Sequence, residues 1–285
     1  MTWYNQSKKH SEARLKSLKK KYPLESSTRQ IRGSLTRSWN KIHKVMTKKE
    51  LDGFRKIRKF RGTGSADQFK DDSRREKFRK EILRREFADK STIDKNDPDL
   101  YIFAGISSSG KSYNLKGYVP EKTLEIDNDK YKKYLAQKSK SPLKRFPLAH
   151  SEYLHEEAGD LTKRAIGRAR REKRDITLDM TFANYYKGKN LINDFKKEDY
   201  DVHVLGTQFP AHKGIERATD RFLDPTKEGR FVPLKLIAKE GNQTNENVMK
   251  ARKLATKKHH LILDTTDYNN IVVVSKKGKW KKRKI

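Results

Sequence analysis

Eight consecutive residues, Gly105-Ile106-Ser107-Ser108-Ser109-Gly110-Lys111-Ser112, fit the pattern G-x-x-x-x-G-K-[ST] at every position. The chemistry of that pattern is the capture of a nucleotide's phosphates. Gly105 and Gly110 let the backbone wrap closely round an oxyanion. The N–H groups of Ser107, Ser108 and Ser109 and the start of the following helix then point at the phosphates. Lys111 can bridge the β- and γ-phosphates, and Ser112 can offer its hydroxyl to Mg2+. The apolar run "LYIFA" leads straight into Gly105, which is the context such a loop requires. The next helix is cut short by Gly117 and Pro120 and has room for only about two turns.

A phosphate loop fixes a nucleotide but not a reaction. Ligands of open α/β sheets sit outside the strand C-termini, so the ends of the other apolar runs matter. "TLEIDND" ends in Asp127 and Asp129, and "ITLDMT" ends in Asp179 and Thr181. A spacing of two places each pair on one side of an extended chain. A carboxylate after the second strand can take the proton from an attacking hydroxyl. Asp179 suits a place on Mg2+, directly or through water, or on the acceptor. One such acid alone reads better as a helix cap; two pairs beside a phosphate loop favour catalysis. Further on, Arg217 and Arg221 lie one helical turn apart and Arg230 follows in a glycine-containing loop. Arginines over a transferring phosphoryl group stabilise its transition-state charge.

The elements that must position these groups are legible from residue 100 onward. Short apolar runs alternate with amphipathic stretches, which predicts a parallel α/β sheet with helices on both faces. Expected strands are "LYIFAG", 123–127, 175–179, 201–205, 260–264 and 271–274, the last two joined by a hairpin turning on Asn269-Asn270. A long helix is expected over 150–172, where Leu154, Ala158, Leu161, Ala165 and Ala169 recur on one face. His150 and His155 would share that helix as surface or capping residues, five apart and so not stacked as metal ligands. Residues 1–95 differ in kind, with mixed charges at helical spacing. Helices are expected over 12–21, 37–58 and 71–89, with the second breaking or bending after Met46 and a flexible break at 61–68. The division is therefore 1–95 as a basic, mainly helical segment, 96–275 as a nucleotide-binding kinase domain, and 276–285 as a basic tail.

The ordered set "GISSSGKS", "IDND", "HEEAGDLTKRAI", "LDMT" and "IERATDRFLDPTKEGRFVP" resembles the zeta toxin family of P-loop kinases over about residues 97–275. The resemblance implies a P-loop NTPase-like sheet and ATP or GTP as donor, with Lys111 and Ser112 on the nucleotide and Mg2+. It also implies that Asp129 activates the acceptor hydroxyl, Asp179 and Thr181 contact the acceptor, and Arg217 and Arg230 clamp the transferring phosphate. Known members phosphorylate UDP-N-acetylglucosamine and are restrained by antitoxins. This chain departs in two places. After the Asp-x-Thr element some toxins carry an arginine, whereas "FANYYKGK" offers Phe182 and Ala183 first and a lysine only at Lys187. The basic N-terminal segment lies outside the family domain.

Composition limits the partners. The 285 residues carry a formal charge of +32 and only 33% are hydrophobic. Residues 1–95 hold roughly +17 of that charge. A surplus of this size calls for a polyanion, nucleic acid before all, bound through residues 1–95 and the tail. With no cysteine, disulfides, thiolate zinc sites and thiol catalysis are excluded. No apolar run reaches the roughly 18 residues of a membrane span, and the N-terminus has no signal-like apolar stretch. A cytoplasmic protein, nucleic-acid- or virion-associated, is expected. Three functions follow: a kinase of a small hydroxylated acceptor such as a nucleotide sugar; a kinase of nucleic acid, at an end or on a hydroxylated base; and a silent kinase fold that binds nucleic acid.

Overall fold

The alternating pattern folds into six strands, β1 (Asp99–Ala104), β2 (Leu124–Ile126), β3 (Ile176–Met180), β4 (Asp201–Gln208), β5 (His260–Asp264) and β6 (Val272–Lys277), in one sheet of order β2-β3-β1-β4-β5-β6. The first five are parallel, and β6 returns antiparallel to β5 as expected, but the ladder closes at Asp264–Val272, so the connection is longer than a tight turn on Asn269-Asn270. The computed structural model describes residues 25–59, 64–88, 96–139, 141, 143–227, 229–267 and 269–282. The helix expected over 12–21 lies outside them.

The helices of the segment before the sheet are α1 (Thr28–Val45), α2 (Lys48–Lys59), the short α3 (Ser65–Gln68) and α4 (Ser73–Phe87). Those that follow are α5 (Lys111–Leu115), α6 (Asn128–Ala136), α7 (His155–Arg171), α8 (Tyr185–Lys196), α9 (Ala211–Leu223) and α10 (Leu234–Ala251). The stretch expected over 37–58 breaks at Met46-Thr47, as the sequence allowed, and its first helix begins earlier, at Thr28. Ser27 caps α1 through a reciprocal box with Gln30, and Glu50 and Thr47 exchange hydrogen bonds where α2 begins. The long helix starts at His155 rather than 150. His150 therefore stands in the turn before it, off the shared helix that the sequence predicts. It is also buried, at 5% exposure, with Nε2 against the carbonyl of Ser139, so of the two places expected, surface or cap, the surface is excluded.

Packing follows strand alternation. Leu100, Ile102, Val202, Val204, Ile176 and Ile262 meet the apolar stripes of α4, α6, α7, α8 and α10 in the main core. The residues between them, Tyr101, Phe103, Leu205, Leu261 and Leu263, form a smaller apolar cluster with Leu115 and Val119 of the short α5 connection, with Tyr118, Ile271 and Trp280 at the margin. A third cluster joins Ile42, Met46 and Phe54 of α1 and α2 to Phe209, Ile215, Phe222, Phe231 and Ile237, beyond the C-terminal strand ends.

The N-terminal helices are thus docked on the sheet domain, and buried charge holds one of them. Glu157 of α7, 1% exposed, takes two hydrogen bonds from Arg75 of α4, at 2.7 and 2.9 Å, and one from Arg79 at 2.8 Å. Burial pushes its carboxyl up, but the hydrogen bonds and charges of Arg75 and Arg79 outweigh this and hold it below the usual range. Folding stability from this group is therefore present above the ordinary glutamate pKa and is lost as pH falls through the depressed value. Glu157→Ala leaves two guanidiniums buried without their carboxylate. It is expected to cost about 3–5 kcal/mol in urea denaturation; a loss under about 1 kcal/mol would mean that α4 is not anchored by this cluster.

Candidate active site

β1 delivers the glycine loop at the centre of the sheet. A Cβ on Gly105 would lie 2.2 Å from Oγ1 of Thr207, so only glycine lets the loop press against the tip of β4. Ser108 (φ 65°) and Gly110 (φ 79°) are left-handed and turn the backbone back on itself. Ser109 props the loop from beneath: its Oγ is 2.6 Å from Oγ1 of Thr207, and its carbonyl accepts a 2.7 Å hydrogen bond from Thr265 at the end of β5. Lys111 is 9% exposed and folds across the loop, with Nζ donating to the carbonyls of Gly105 at 2.9 Å and Ile106 at 3.3 Å. The helix it begins has five residues and passes into a turn at Lys116–Tyr118, as Gly117 and Pro120 foretell.

Because β3 lies beside β1, with Asp179 in register with Phe103, the acid at the tip of β3 ends against this loop. Asp179 Oδ1 is 3.4 Å from Lys111 Nζ, and Ser112 Oγ is 3.5 Å from Asp179 Oδ2. A hydroxyl beside a carboxylate at the phosphate loop is the oxygen donor set that Mg2+ takes. Thr181, the first residue past the strand, is exposed and accepts the N–H of Ala183 at 3.3 Å.

β2 flanks β3, which brings the second acidic pair to the same edge. Asp127 caps α6 by accepting the N–H of Asp129 at 2.8 Å. Its carboxyl is pushed up to about 6, first by burial and then by the charge of Asp179; the cations Arg230 and Lys111 oppose the shift. Asp129, in the first turn of α6, forms an ion pair with the Arg230 guanidinium and another with Lys132 Nζ at 3.1 Å. Arg230 is 6% exposed. Burial lowers its pKa to about 10, with Asp127 pulling the other way, so it keeps its charge at neutral pH. Ser108 Oγ and Arg230 Nε are buried without a hydrogen-bond partner among the described residues. An orphaned hydroxyl on the loop and an orphaned guanidinium N–H on Arg230 fit a site for an anionic group.

Arg217 belongs to α9, which passes over the loop: a Cβ on Gly214 would lie 2.8 Å from Ile106 Cδ1 and 3.6 Å from the carbonyl of Ser107. Its guanidinium lies 4.0 Å over the ring of Phe209. The loop, Asp127, Asp129, Asp179 and Arg230 are thus gathered at one end of the sheet, with Arg217 on the helix above.

Some residues of this region had no sequence signal that set them apart. Thr207 and Thr265 stand at strand tips and could have been sought there. Lys132 is one of several lysines in "DKYKKY" and is distinguished only by burial, which lowers its pKa to about 8. His155 is depressed by burial and then by the charges of Lys132 and Lys187, so its ring stands near both lysines and is neutral at pH 7.

A sequence profile described as Zeta toxin matches residues 84–276, beginning inside α4. Among solved structures, that of AvrRxo1-ORF1:-ORF2 with ATP superposes with a TM-score of 0.56 at 18% identity, covering 70% of this chain and 66% of that one. This chain therefore spans slightly under two thirds of its length. The AvrRxo1-ORF1:AvrRxo1-ORF2 structure with sulphate ions gives 0.57 at 18% identity, covering 74% and 70%. A structure of the PezAT chromosomal toxin-antitoxin system of Streptococcus pneumoniae gives 0.44 at 15%, covering 69% and 79%. At such identities the likeness is one of fold. No curated protein matches the sequence. Among the described residues no helix is long and apolar enough to cross a membrane.

Proposed function

The chain belongs to the zeta toxin family, and from that premise we propose that it transfers the γ-phosphate of ATP to a hydroxyl of a small anionic acceptor. A nucleotide sugar such as UDP-N-acetylglucosamine is the acceptor the family favours. One observation carries the reading: a phosphate loop and two acidic strand ends are gathered at one end of the sheet, with Asp179 beside Lys111 and Asp129 beside Arg230.

Gly105, Ser107, Ser108, Gly110 and Lys111 hold the donor phosphates, with Ser109 bracing the loop. Ser112 and Asp179 would hold Mg2+, which when bound neutralises charge on the phosphates. Asp129 accepts the proton of the attacking hydroxyl, with Asp127 beside it. Arg230, assisted by Arg217, stabilises charge on the phosphoryl group in flight. Thr181 and Asp179 face the acceptor. Lys132 and Lys187, both near His155, would take the acceptor's own phosphates, with Lys187 in the role that an arginine fills in some toxins. The family also supports a second chain as inhibitor, antitoxin-like, and AvrRxo1-ORF1 is itself found with ORF2.

The charge of +32 favours a second reading, in which the acceptor is nucleic acid. Transfer of labelled phosphate from ATP to UDP-sugars, oligonucleotides and hydroxymethylated DNA separates the two. Label is expected on a UDP-sugar. Lys132→Met is expected to raise the KM for that sugar about tenfold or more, the loss of one charge-assisted hydrogen bond, with a smaller change in kcat. Label on the polynucleotides alone would establish the second reading.

A further inference from the structure

A second cleft, of about 590 Å3, opens on the thinly covered face of the sheet, at the end of the strands away from Gly105. Its walls are rings. Tyr101 and His203 are in register across β1 and β4 and stack with centroids 4.6 Å apart and planes 13° apart. His259 continues the stack at 5.6 Å, and Trp280 of the tail meets His203 edge-on at 6.0 Å. Tyr118 and Pro120 close another side. The rings are held from behind: His203 Nε2 is 2.8 Å from Asp99 Oδ1, and Trp280 Nε1 donates to the carbonyl of Lys277 at 2.8 Å after a left-handed turn at Gly278. With Nε2 engaged, Nδ1 of His203 has no hydrogen-bond partner among the described residues.

The mouth of this cleft is basic. Lys279 and Lys281 line it and are exposed, and residues 276–285 contain seven Lys or Arg and no acid. Flat aromatic surfaces flanked by flexible cations are the two parts of a site that tracks a single strand: bases stack, phosphates pair with lysine. A duplex, whose bases are already stacked on each other, has no face to offer these rings.

We propose that this cleft binds single-stranded nucleic acid, one base stacking on Trp280 against the Tyr101–His203 wall and the flanking phosphates lying on Lys279 and Lys281. This site is separate from the phosphate loop and does not depend on which acceptor the loop serves. It gives the charge of the chain a specific use at its C-terminal end.

Anisotropy of a labelled oligothymidylate of about twelve nucleotides, with the full-length protein, tests the proposal. Trp280→Ala is expected to weaken binding about tenfold, the loss of one stacked base, and to leave binding of an abasic strand of equal length unchanged. Lys279→Ala with Lys281→Ala is expected to reduce the slope of log K against log salt by about 1.4, two phosphate contacts to a single strand. These two lysines are at the surface, so the salt slope remains a test should alanine at 280 unsettle the tail. Full binding by Trp280→Ala, or an unchanged slope in the double lysine variant, overturns the assignment. So does thymidine monophosphate competing as well as the strand, which would make the site one for free nucleotides.

Discussion

Arg230→Ala is expected to lower the rate of phosphoryl transfer by about 10^3- to 10^5-fold, the range an arginine supplies to transition-state charge in phosphoryl transfer. ATP affinity should change only a few-fold, because Lys111 and the loop backbone hold the ground-state phosphates. The size of the effect rests on the surroundings of the side chain. Arg230 is 6% exposed, faces both Asp127 and Asp129, and keeps its charge despite burial. A fixed cation in a water-poor cleft costs no reorganisation when charge develops on the phosphoryl oxygens. Arg230→Lys is expected to recover little, since an ammonium lacks the planar fork that spans two oxygens. Single-turnover transfer with nucleotide binding measured in parallel checks this. A loss of nucleotide affinity equal to the loss in rate would make Arg230 a ground-state contact, not the phosphoryl clamp.

Asp129→Asn is expected to retain ATP binding and to lose about 10^2- to 10^4-fold in transfer, the contribution of a positioned base. Asparagine keeps the shape and a hydrogen-bonding oxygen at the start of α6 but cannot accept the proton. Asp127→Asn is the necessary partner experiment. Asp127 lies deeper, caps the same helix, and its carboxyl is held near 6 by burial and by Asp179. If Asp127→Asn abolishes transfer and Asp129→Asn turns over normally, the proton goes to Asp127, and Asp129 serves to seat Arg230 and Lys132.

Much of this site could be read from residue order because its chemistry is local. The loop needs glycines, a lysine and a hydroxyl in one short stretch, and "GISSSGKS" supplies them. Asp127 and Asp179 were found because an acid directly after an apolar strand is conspicuous. What no local pattern holds is which strands become neighbours. Asp179 touches Lys111 only because β3 inserts between β2 and β1, a choice made by long-range packing of Leu100, Ile102, Ile176 and Leu178. Lys132 carries no local signal for a related reason: in a chain with 69 Lys and Arg, burial and not residue type sets it apart. Trp39, Ile42 and Met46, spaced three and four apart, form the packed face of α1 and its C-cap. Its counterpart, Phe222 and Ile215 of α9 with Phe231, is some 180 residues away. His150 was misplaced because the heptad-like run of small apolar residues in α7 gives no sign of where the first turn starts.

The aromatic knot of Phe54, Phe222 and Phe231 has a practical corollary. Phe231 is the residue after Arg230, and its ring stands edge-on to Phe54 of α2 at 4.8 Å and to Phe222 of α9 at 5.3 Å. A protein cut at residue 96, where the strands begin, would strip one wall from this knot and leave the guanidinium tethered to a loosened peptide. A piece that keeps both ring contacts of Phe231 must therefore carry α2 along with the sheet.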